Sequence, residues 1–395
     1  SLYLDVKSRK ARWEQTSRPG FMNILIDFTQ IPIQKVGVGV YARETFLELL
    51  RGTNNKYYCL VQDDDKDMLN TLKSSKIIFV KSKWFRFFFF RFFLEQFYIP
   101  WICYKYKINI VHSLHYSFPL IPLRAKKVVT IHDLTFFIYP KAHTIFKRYY
   151  FRFFIRFACR FADEIICVSN STLNDLNLHI KPIKSETQVI PLACEQPKVF
   201  DLESINNTKA KFGLHRKYLL FIGTLEPRKN IVNLLIAFEK IVKNDSSIDL
   251  VIVGKKGWFY NDTLTKVQEL NIANRVIFTG FVTTEEKFII LSGAYAFIYP
   301  SIYEGFGLPV LESITYNIPT VTSNISSLPE VVGQAAILIN PNNIDSIYNA
   351  LKEVLYNEDT RLVLAERCSK QAKKFSWEIT AKMTENVYDK YQVVK

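Results

Sequence analysis

From Met22 onward, short runs that are apolar on both faces alternate with longer stretches of helical periodicity. The runs are Asn23 to Asp27, Tyr57 to Val61, Lys76 to Val80, Ile110 to His112, Val128 to Ile131, Glu164 to Val168 and Thr187 to Ile190. Runs apolar on both sides suit a parallel sheet covered by helices. Near Pro191 the pattern lapses into Leu-Ala-Cys-Glu-Gln-Pro-Lys, a linker punctuated by proline. It then restarts with Tyr218 to Gly223, Leu250 to Gly254, Val276 to Gly280, Ala296 to Pro300, Thr320 to Thr322 and Ala336 to Ile339. This predicts two doubly wound α/β units, with ligand loops at the carboxyl ends of their strands and a site in the cleft between them.

Several strand ends carry chemistry. Pro-Ser-Ile-Tyr-Glu-Gly-Phe-Gly-Leu-Pro-Val-Leu-Glu, from Pro300 to Glu312, reads as a strand end, a loop with Gly305 and Gly307, and a helix starting near Pro309. Amides at a helix start can hold an anion, and the glycines let the chain approach a ligand closely. Glu304 in the loop and Glu312 in the first turn or so of the helix can both face one ligand and accept hydrogen bonds from sugar or ribose hydroxyls. Taken alone, Glu312 would simply complement the helix dipole. Phe221-Ile-Gly223-Thr-Leu-Glu226-Pro-Arg228-Lys229-Asn230 is again a strand running into a loop, then a helix from about Ile231. An Arg-Lys pair is usually solvated charge, but at a strand end a diphosphate is its natural partner. Thr130-Ile-His132-Asp133 places an imidazole at a third strand end, within reach of a substrate hydroxyl or carbonyl.

Gly37-Val38-Gly39-Val-Tyr-Ala42 has the form of a dinucleotide fingerprint, yet about ten residues separate it from the strand ending near Asp27. The fingerprint needs its glycines in the turn directly after the strand. An NAD-dependent oxidoreductase is therefore disfavoured, and a flexible glycine loop closing over a ligand phosphate from the opposite unit fits better. Asp63-Asp64-Asp65 contains an acidic pair of the kind that holds a divalent ion, but beside Lys66 and Asp67 it reads as a solvated turn. His112 and His115 straddle a strand end with no Cys or carboxylate near them in sequence and read as structural, so no metal is expected.

Charge divides the chain unevenly. Residues 1–200 hold 30 Lys and Arg against 16 Asp and Glu, residues 201–395 hold 22 against 21, so the two units face different partners. Within the first, Trp84 to Phe93 is a run of aromatic residues with two arginines, and from Ile145 to Phe161 Arg148, Arg152, Arg156 and Arg160 recur every four residues beside an aromatic face. Basic aromatic helices at 84–107 and 145–161 predict docking on an anionic membrane surface. The alternative is a solvated Arg face over a Phe-filled core. Nucleic acid is not expected, because no recognition motif accompanies the charge. The longest uncharged run, 16 residues from Phe288 to Tyr303, is short of a membrane span. Six cysteines with no C-x-x-C pair read as reduced thiols, and residues 1–21 lack the apolar core of a secretory signal. These features predict a cytoplasmic protein at the inner face of the plasma membrane.

The Glu304-x7-Glu312 pair within E-G-F-G-L-P-V-L-E, together with Gly223 to Asn230, resembles the retaining GT-B glycosyltransferases of family four. Gly37 to Tyr41 resembles the family's G-x-G loop, Val129 to Leu134 its acceptor-side His motif, Ala162 to Ser169 the strand leading to the linker, Gly280 to Val282 its base-side loop, and Phe375 to Trp377 the start of its terminal helix. Leu94-Glu-Gln-Phe97 followed by Pro100 is most similar to bacterial mannosyl- and rhamnosyltransferases of surface polysaccharides. The resemblance implies a first unit over 22–195, a nucleotide-sugar unit over 196–375, and a helix over 376–395 crossing back to the first. It further implies that Arg228 and Lys229 bind the donor diphosphate next to Gly223. Glu304 with the amides of Gly305, Phe306, Gly307 and Leu308 would bind the donor sugar, Glu312 the ribose, and Val282 would lie by the base. His132 would contact the sugar, and Gly37, Val38 and Gly39 would line the phosphate side. The expected donor is GDP-mannose, with UDP-hexoses as the alternative, and the expected acceptor is an oligosaccharide or a polyprenyl-diphosphate-linked glycan. No cofactor is expected. A non-catalytic protein binding the same nucleotide sugar is the competing class. Glycosidase logic for Glu304 and Glu312 is discounted because both lie on the phosphate-loop side.

Overall fold

The computed structural model describes residues 21–31, 33, 35, 37–52, 55–72, 76–80, 88–255, 257 and 260–392. The expectation for residues 1–21 and the start of the 84–107 segment therefore fall largely outside the described residues. Strands β1 (Asn23–Asp27), β2 (Lys56–Gln62), β3 (Lys76–Val80), β4 (Ile110–Ser113), β5 (Lys126–Ile131), β6 (Glu164–Cys167) and β7 (Glu186–Val189) form one sheet in the order 3-2-1-4-5-6-7. A second sheet joins β8 (Lys217–Ile222), β9 (Ile248–Val253), β10 (Val276–Gly280), β11 (Ala296–Tyr299), β12 (Thr320–Ser323) and β13 (Ala336–Ile339) in the order 10-9-8-11-12-13. All of the pairings are parallel. Both orders reverse direction beside their first strand, which opens a crevice between β1 and β4 in one sheet and between β8 and β11 in the other.

The apolar runs form strands because helices bury both of their faces: Leu219, Leu220 and Phe221 of β8 and Phe297, Ile298 and Tyr299 of β11 are fully buried. Residues 191–200 carry no helix or strand, yet Leu192, Ala193 and Cys194 are buried, so this linker is packed down rather than free.

The last helix, Trp377–Asp389, begins at an N-cap in which Ser376 Oγ accepts from the Ile379 amide. Trp377, Ala381, Val387 and Tyr388 pack into the core of the first unit. Tyr388 Oη lies 2.6 Å from His112 Nδ1, and His112 Nε2 lies 2.8 Å from Thr130 Oγ1, so the buried imidazole is spanned on both sides. Beyond the helix, Lys390 Nζ at 2.8 Å and Tyr391 Oη at 3.2 Å donate to the buried carboxylate of Glu164. Phe306, Leu311 and Val331 of the second unit join the same core, which makes the two units share apolar packing.

Tyr388→Phe leaves His112 Nδ1 without its partner in a dry site, at a cost of about 1–3 kcal/mol. The expected result is a fall of about 3–10 °C in the thermal transition, read by calorimetry.

Candidate active site

The second sheet's crevice gathers charged groups from two loops. After β8, a 3₁₀ turn at Pro227–Lys229 is closed by Asn230, which holds a left-handed backbone (φ 59°) and donates from Nδ2 to the Pro341 carbonyl at 2.6 Å. That kink separates the turn from the Ile231–Val242 helix and leaves Arg228 and Lys229 beside the end of β11. After β11, Ser301 and Glu304 come from the loop leading to the Leu308–Thr315 helix. Lys229 Nζ (2.5 Å), Ser301 Oγ (2.6 Å) and Tyr299 Oη (3.1 Å) all donate to Glu304 Oε1, while Arg228 Nη1 reaches Oε2 at 3.1 Å. Arg228 also donates from Nη1 to the Tyr303 carbonyl (2.9 Å) and from Nε to Glu226 Oε2 (2.9 Å).

Every oxygen of the Glu304 carboxylate is thus used. Burial by itself would raise its pKa, but the Lys229 and Arg228 charges and the Lys229 and Ser301 hydrogen bonds outweigh burial and hold it down at about 2. It is ionised throughout the neutral range. The backbone is fixed as firmly: the Glu304 N–H donates to Ser326 Oγ at 3.0 Å, Ser326 Oγ donates back to the Glu304 carbonyl at 2.5 Å, and Ser327 Oγ donates to the Phe306 carbonyl at 2.8 Å. Ser326 itself holds a left-handed backbone (φ 60°).

The first unit closes on this loop. A Cβ on Gly305 would lie 1.8 Å from the His132 carbonyl oxygen and 2.9 Å from Asp133 Cβ, so only glycine permits this approach. The Gly305 carbonyl accepts from Ser169 Oγ (2.6 Å) and Thr172 Oγ1 (3.1 Å). Tyr303 Oη accepts from the Leu134 amide (3.0 Å) and donates to Asp175 (2.9 Å). Glu330 caps the amino end of the Asn170–His179 helix, accepting from the Asn170 and Ser171 amides at 3.0 Å each. His132 donates from Nε2 to the Leu114 carbonyl at 2.9 Å, and burial lowers its pKa to about 4, so the ring is neutral with Nδ1 as its acceptor.

The structure therefore joins Glu304, Arg228, Lys229 and Gly305 and sets the His132 backbone against them. It does not join Glu312 to them. Glu312 lies in the second turn of a helix that begins at Leu308, not in its first turn, and is paired with Lys287 Nζ at 2.6 Å. A lysine 25 residues away in sequence left no local signal. The glycine loop also differs from expectation. Gly37 (φ 53°) precedes the Val38–Gly52 helix, whose first two residues are Val38 and Gly39, so the motif is a helix start rather than a free loop. Gly223 follows β8 directly, and its carbonyl would meet a Cβ on Gly254 at 1.9 Å. Val282 is buried two residues beyond β10. Asp65 is structural: it caps the Lys66–Thr71 helix and pairs with Lys35. Residue types alone did not reveal Tyr299, Ser301, Ser326 or Lys287.

Residues 204–375 match the family of glycosyl transferases group 1, and residues 37–194 match glycosyltransferase family 4. The chain is 32% identical over 292 residues to O-antigen chain mannosyltransferase B of Escherichia coli, a stretch that is 73% of this chain and 76% of that one. The chain belongs to the family 4 GT-B glycosyltransferases. It is also 30% identical over 227 residues to the serotype-specific mannosyltransferase WbdA of Escherichia coli, covering 56% of this chain and 28% of that one. Among solved structures, this glycosyltransferase superposes on sucrose-phosphate synthase of Thermosynechococcus elongatus (TM-score 0.74, 20% identity, 93% and 98% of the two chains). It superposes likewise on Anabaena HepE in complex with UDP and glucose (TM-score 0.72, 15% identity, 93% and 99%). At those identities the likeness is one of fold.

Two variants test the geometry. Gly305→Ala must push the loop off the His132 backbone, so turnover is expected to fall at least about 100-fold while far-UV circular dichroism stays unchanged and small-angle scattering shows a larger radius of gyration. Glu304→Gln strands the buried Lys229 charge and is expected to cost about 3–5 kcal/mol at pH 7. Because the folded pKa is depressed from its usual 4.5 to about 2, the wild-type stabilisation is complete above pH 5 and is lost as pH falls towards 2. The variant's stability, followed by urea unfolding, is expected to decline less over that window, by up to about 1.4 kcal/mol per pH unit.

Proposed function

We propose that the glycosyltransferase moves mannose from GDP-mannose, with retention and without a metal, to a glycan carried on a polyprenyl diphosphate, in O-antigen or capsule synthesis. The observation that carries this reading is the pair of cations, Arg228 and Lys229, locked on Glu304 at the crevice of the second sheet. Mannose is favoured by the two Escherichia coli relatives, both named mannosyltransferases.

In the reaction the bond between C1 of the sugar and the diphosphate oxygen breaks while the acceptor oxygen bonds C1 on the same face, and the acceptor proton passes to the departing phosphate. The developing charge falls where the guanidinium and ammonium already stand, so no reorganisation is needed at that moment. Glu304 acts as the residue that positions both cations and presents its carboxylate edge to donor hydroxyls. The start of the Leu308–Thr315 helix adds amide dipoles on the phosphate side, and Glu312 is assigned to the ribose with Val282 beside the base. The neutral His132 contacts the transferred sugar. UDP-glucose is the second reading, favoured by the HepE complex with UDP and glucose.

An inner-leaflet acceptor also gives the aromatic helices a purpose. In Ile145–Phe161 the core side is Phe154, Ile155, Ala158 and Cys159, while Phe146, Tyr149, Phe153 and Phe161 are exposed together with Arg156 and Arg160. Phe93, Phe97, Trp101 and Tyr104 are exposed on the neighbouring helical segment. Aromatic rings with interspersed arginines match an anionic bilayer interface. No helix of the described residues is long and apolar enough to cross a membrane. We assign the protein to the cytoplasmic face, bound peripherally.

A thermal-shift panel of GDP-mannose, UDP-glucose, UDP-galactose and UDP-N-acetylglucosamine, run in EDTA, tests the donor. GDP-mannose at about 100 times its Kd is expected to add about 2.7 kcal/mol, an increment that shrinks in Glu312→Ala. Arg228→Ala and Lys229→Ala are expected to lower kcat by about 10²–10³, far more than they lower stability. A shift with UDP-hexoses alone would transfer the assignment to the second reading.

A further inference from the structure

The donor reading assigns the Glu312 carboxylate to the ribose but gives no part to the cation that holds it. Lys287 is the fourth residue of the Thr284–Ser292 helix, which starts four residues beyond β10. A capping box fixes that start: Thr283 Oγ1 accepts from the Glu286 amide at 3.1 Å, and Glu286 Oε2 accepts from the Thr283 amide at 2.9 Å. A cation so near the amino end of a helix meets the unfavourable pole of its dipole. Lys287 stands there facing a carboxylate from another element, Glu312 of the Leu308–Thr315 helix, at 2.6 Å. Aromatic packing ties the two helices together beside the pair. The Phe288 ring, with Lys287 Nζ 4.1 Å from its centroid, stacks on Tyr316 at 5.2 Å and 11°. Tyr316 follows the Leu308–Thr315 helix directly, and its hydroxyl accepts from the Lys198 amide of the linker at 3.2 Å.

The pair has hydrogen-bonding capacity left over. Among the described residues, the Glu312 carboxylate and the Lys287 ammonium hydrogen-bond only to each other, through Oε1. Glu312 Oε2 therefore remains as an acceptor, and two N–H groups of Lys287 remain as donors. Neither side chain is sealed in: Lys287 is 23% exposed and Glu312 13%, so a ligand can reach both. Glu304 differs, because the protein engages both of its oxygens. An acceptor and a donor set side by side complement a vicinal diol, in which one hydroxyl donates and its neighbour accepts. A carboxylate alone would need both hydroxyls to donate to it.

We infer that Lys287 is a specificity-determining residue for the donor's ribose: its ammonium donates to one hydroxyl of the 2′,3′-diol while Glu312 Oε2 accepts from the other. The inference deepens the proposed function and rests on its assignment of Glu312 to the ribose. A phosphate is a poorer partner for the pair, because its charge would stand against the Glu312 oxygen that a hydroxyl satisfies. Position agrees as well. Lys287 follows Val282, given to the base, and Glu312 follows the loop given to the sugar and the phosphates. The ion pair joins those two elements, as a ribose joins base to phosphate within a nucleotide.

Calorimetric titration of GDP, 2′-deoxy-GDP and 3′-deoxy-GDP, and of the corresponding uridine nucleotides, into wild type, Lys287→Met and Lys287→Arg tests the inference. The wild type is expected to bind the ribonucleotide about tenfold more tightly than either deoxynucleotide, each of which lacks one hydrogen bond to a charged group. In Lys287→Met the preference over one of the two deoxynucleotides is expected to disappear, and Lys287→Arg is expected to restore it. An ion pair that merely joins two helices would lower the thermal transition of Lys287→Met and leave both preferences intact, and that result overturns the inference. Equal weakening of ribo- and deoxynucleotides, as loss of a phosphate contact gives, overturns it too. Should Lys287→Met not fold, Lys287→Gln, uncharged and too short to span both partners, carries the same comparison. Absence of GDP and UDP binding to the wild type overturns the donor reading and this inference with it, whereas nucleotide binding with unmoved ribose preferences overturns the inference alone.

Discussion

A buried carboxylate between two buried cations governs the second unit's site. Placing Glu304, Arg228 and Lys229 together out of water is expensive, and the arrangement stands only because each polar atom is matched: Ser301 and Tyr299 complete one carboxylate oxygen, Arg228 the other, and Glu226 takes the far side of the guanidinium. The same matching fixes where positive charge is offered to a ligand. Had the cations been on the surface, their positions would be averaged over rotamers and screened by salt. Held by Glu304, they form a preset electrostatic site that can stabilise charge as it develops.

That network in turn depends on contact between the units. The loop bearing Glu304 is pinned from behind by Ser326 and Ser327 and from in front by Ser169, Thr172 and the His132 backbone. Glu330, at the end of the same serine segment, caps the helix that carries Thr172 and Asp175. One short stretch, Ser326 to Glu330, therefore holds both the Glu304 loop and the opposing unit. The terminal helix works from the other side, joining His112 and the linker carbonyl of Pro191 through Tyr388 and Thr380. Contacts between the units thus bear on the loop that carries Glu304.

All thirteen strands were legible in the sequence because a parallel sheet buried on both faces must be written in apolar residues, and hydrophobicity is what a sequence displays most openly. That Arg228, Lys229 and Glu304 meet was legible because all three stand in loops at neighbouring strand ends, where such sheets take ligands. What stayed hidden depended on distance along the chain or on backbone geometry. Lys287 opposite Glu312, Glu330 opposite Asn170 and Glu95 opposite Gln30 are separated by 25, 160 and 65 residues. The π-turn at Leu94–Tyr98 obeys no residue pattern of its own, and the glycines of Gly37-Val-Gly39 look alike whether they open a helix or line a loop.

The two sheets share one topology but differ in the chemistry at their crevices. At β8 and β11 both oxygens of Glu304 are engaged and hold two cations in place, which suits a polyanion that meets positive charge already positioned. At β1 and β4 the buried acids are Asp27, whose Oδ1 accepts from the Thr29 amide and hydroxyl, and Glu95, which burial pushes above the usual carboxylate range. A transferase must bring a charged donor and an uncharged nucleophile to the same carbon while keeping water away from it. Two crevices, each at the strand ends of its own sheet, allow such demands to be tuned separately. The glycine at position 305 sets how closely the two can meet.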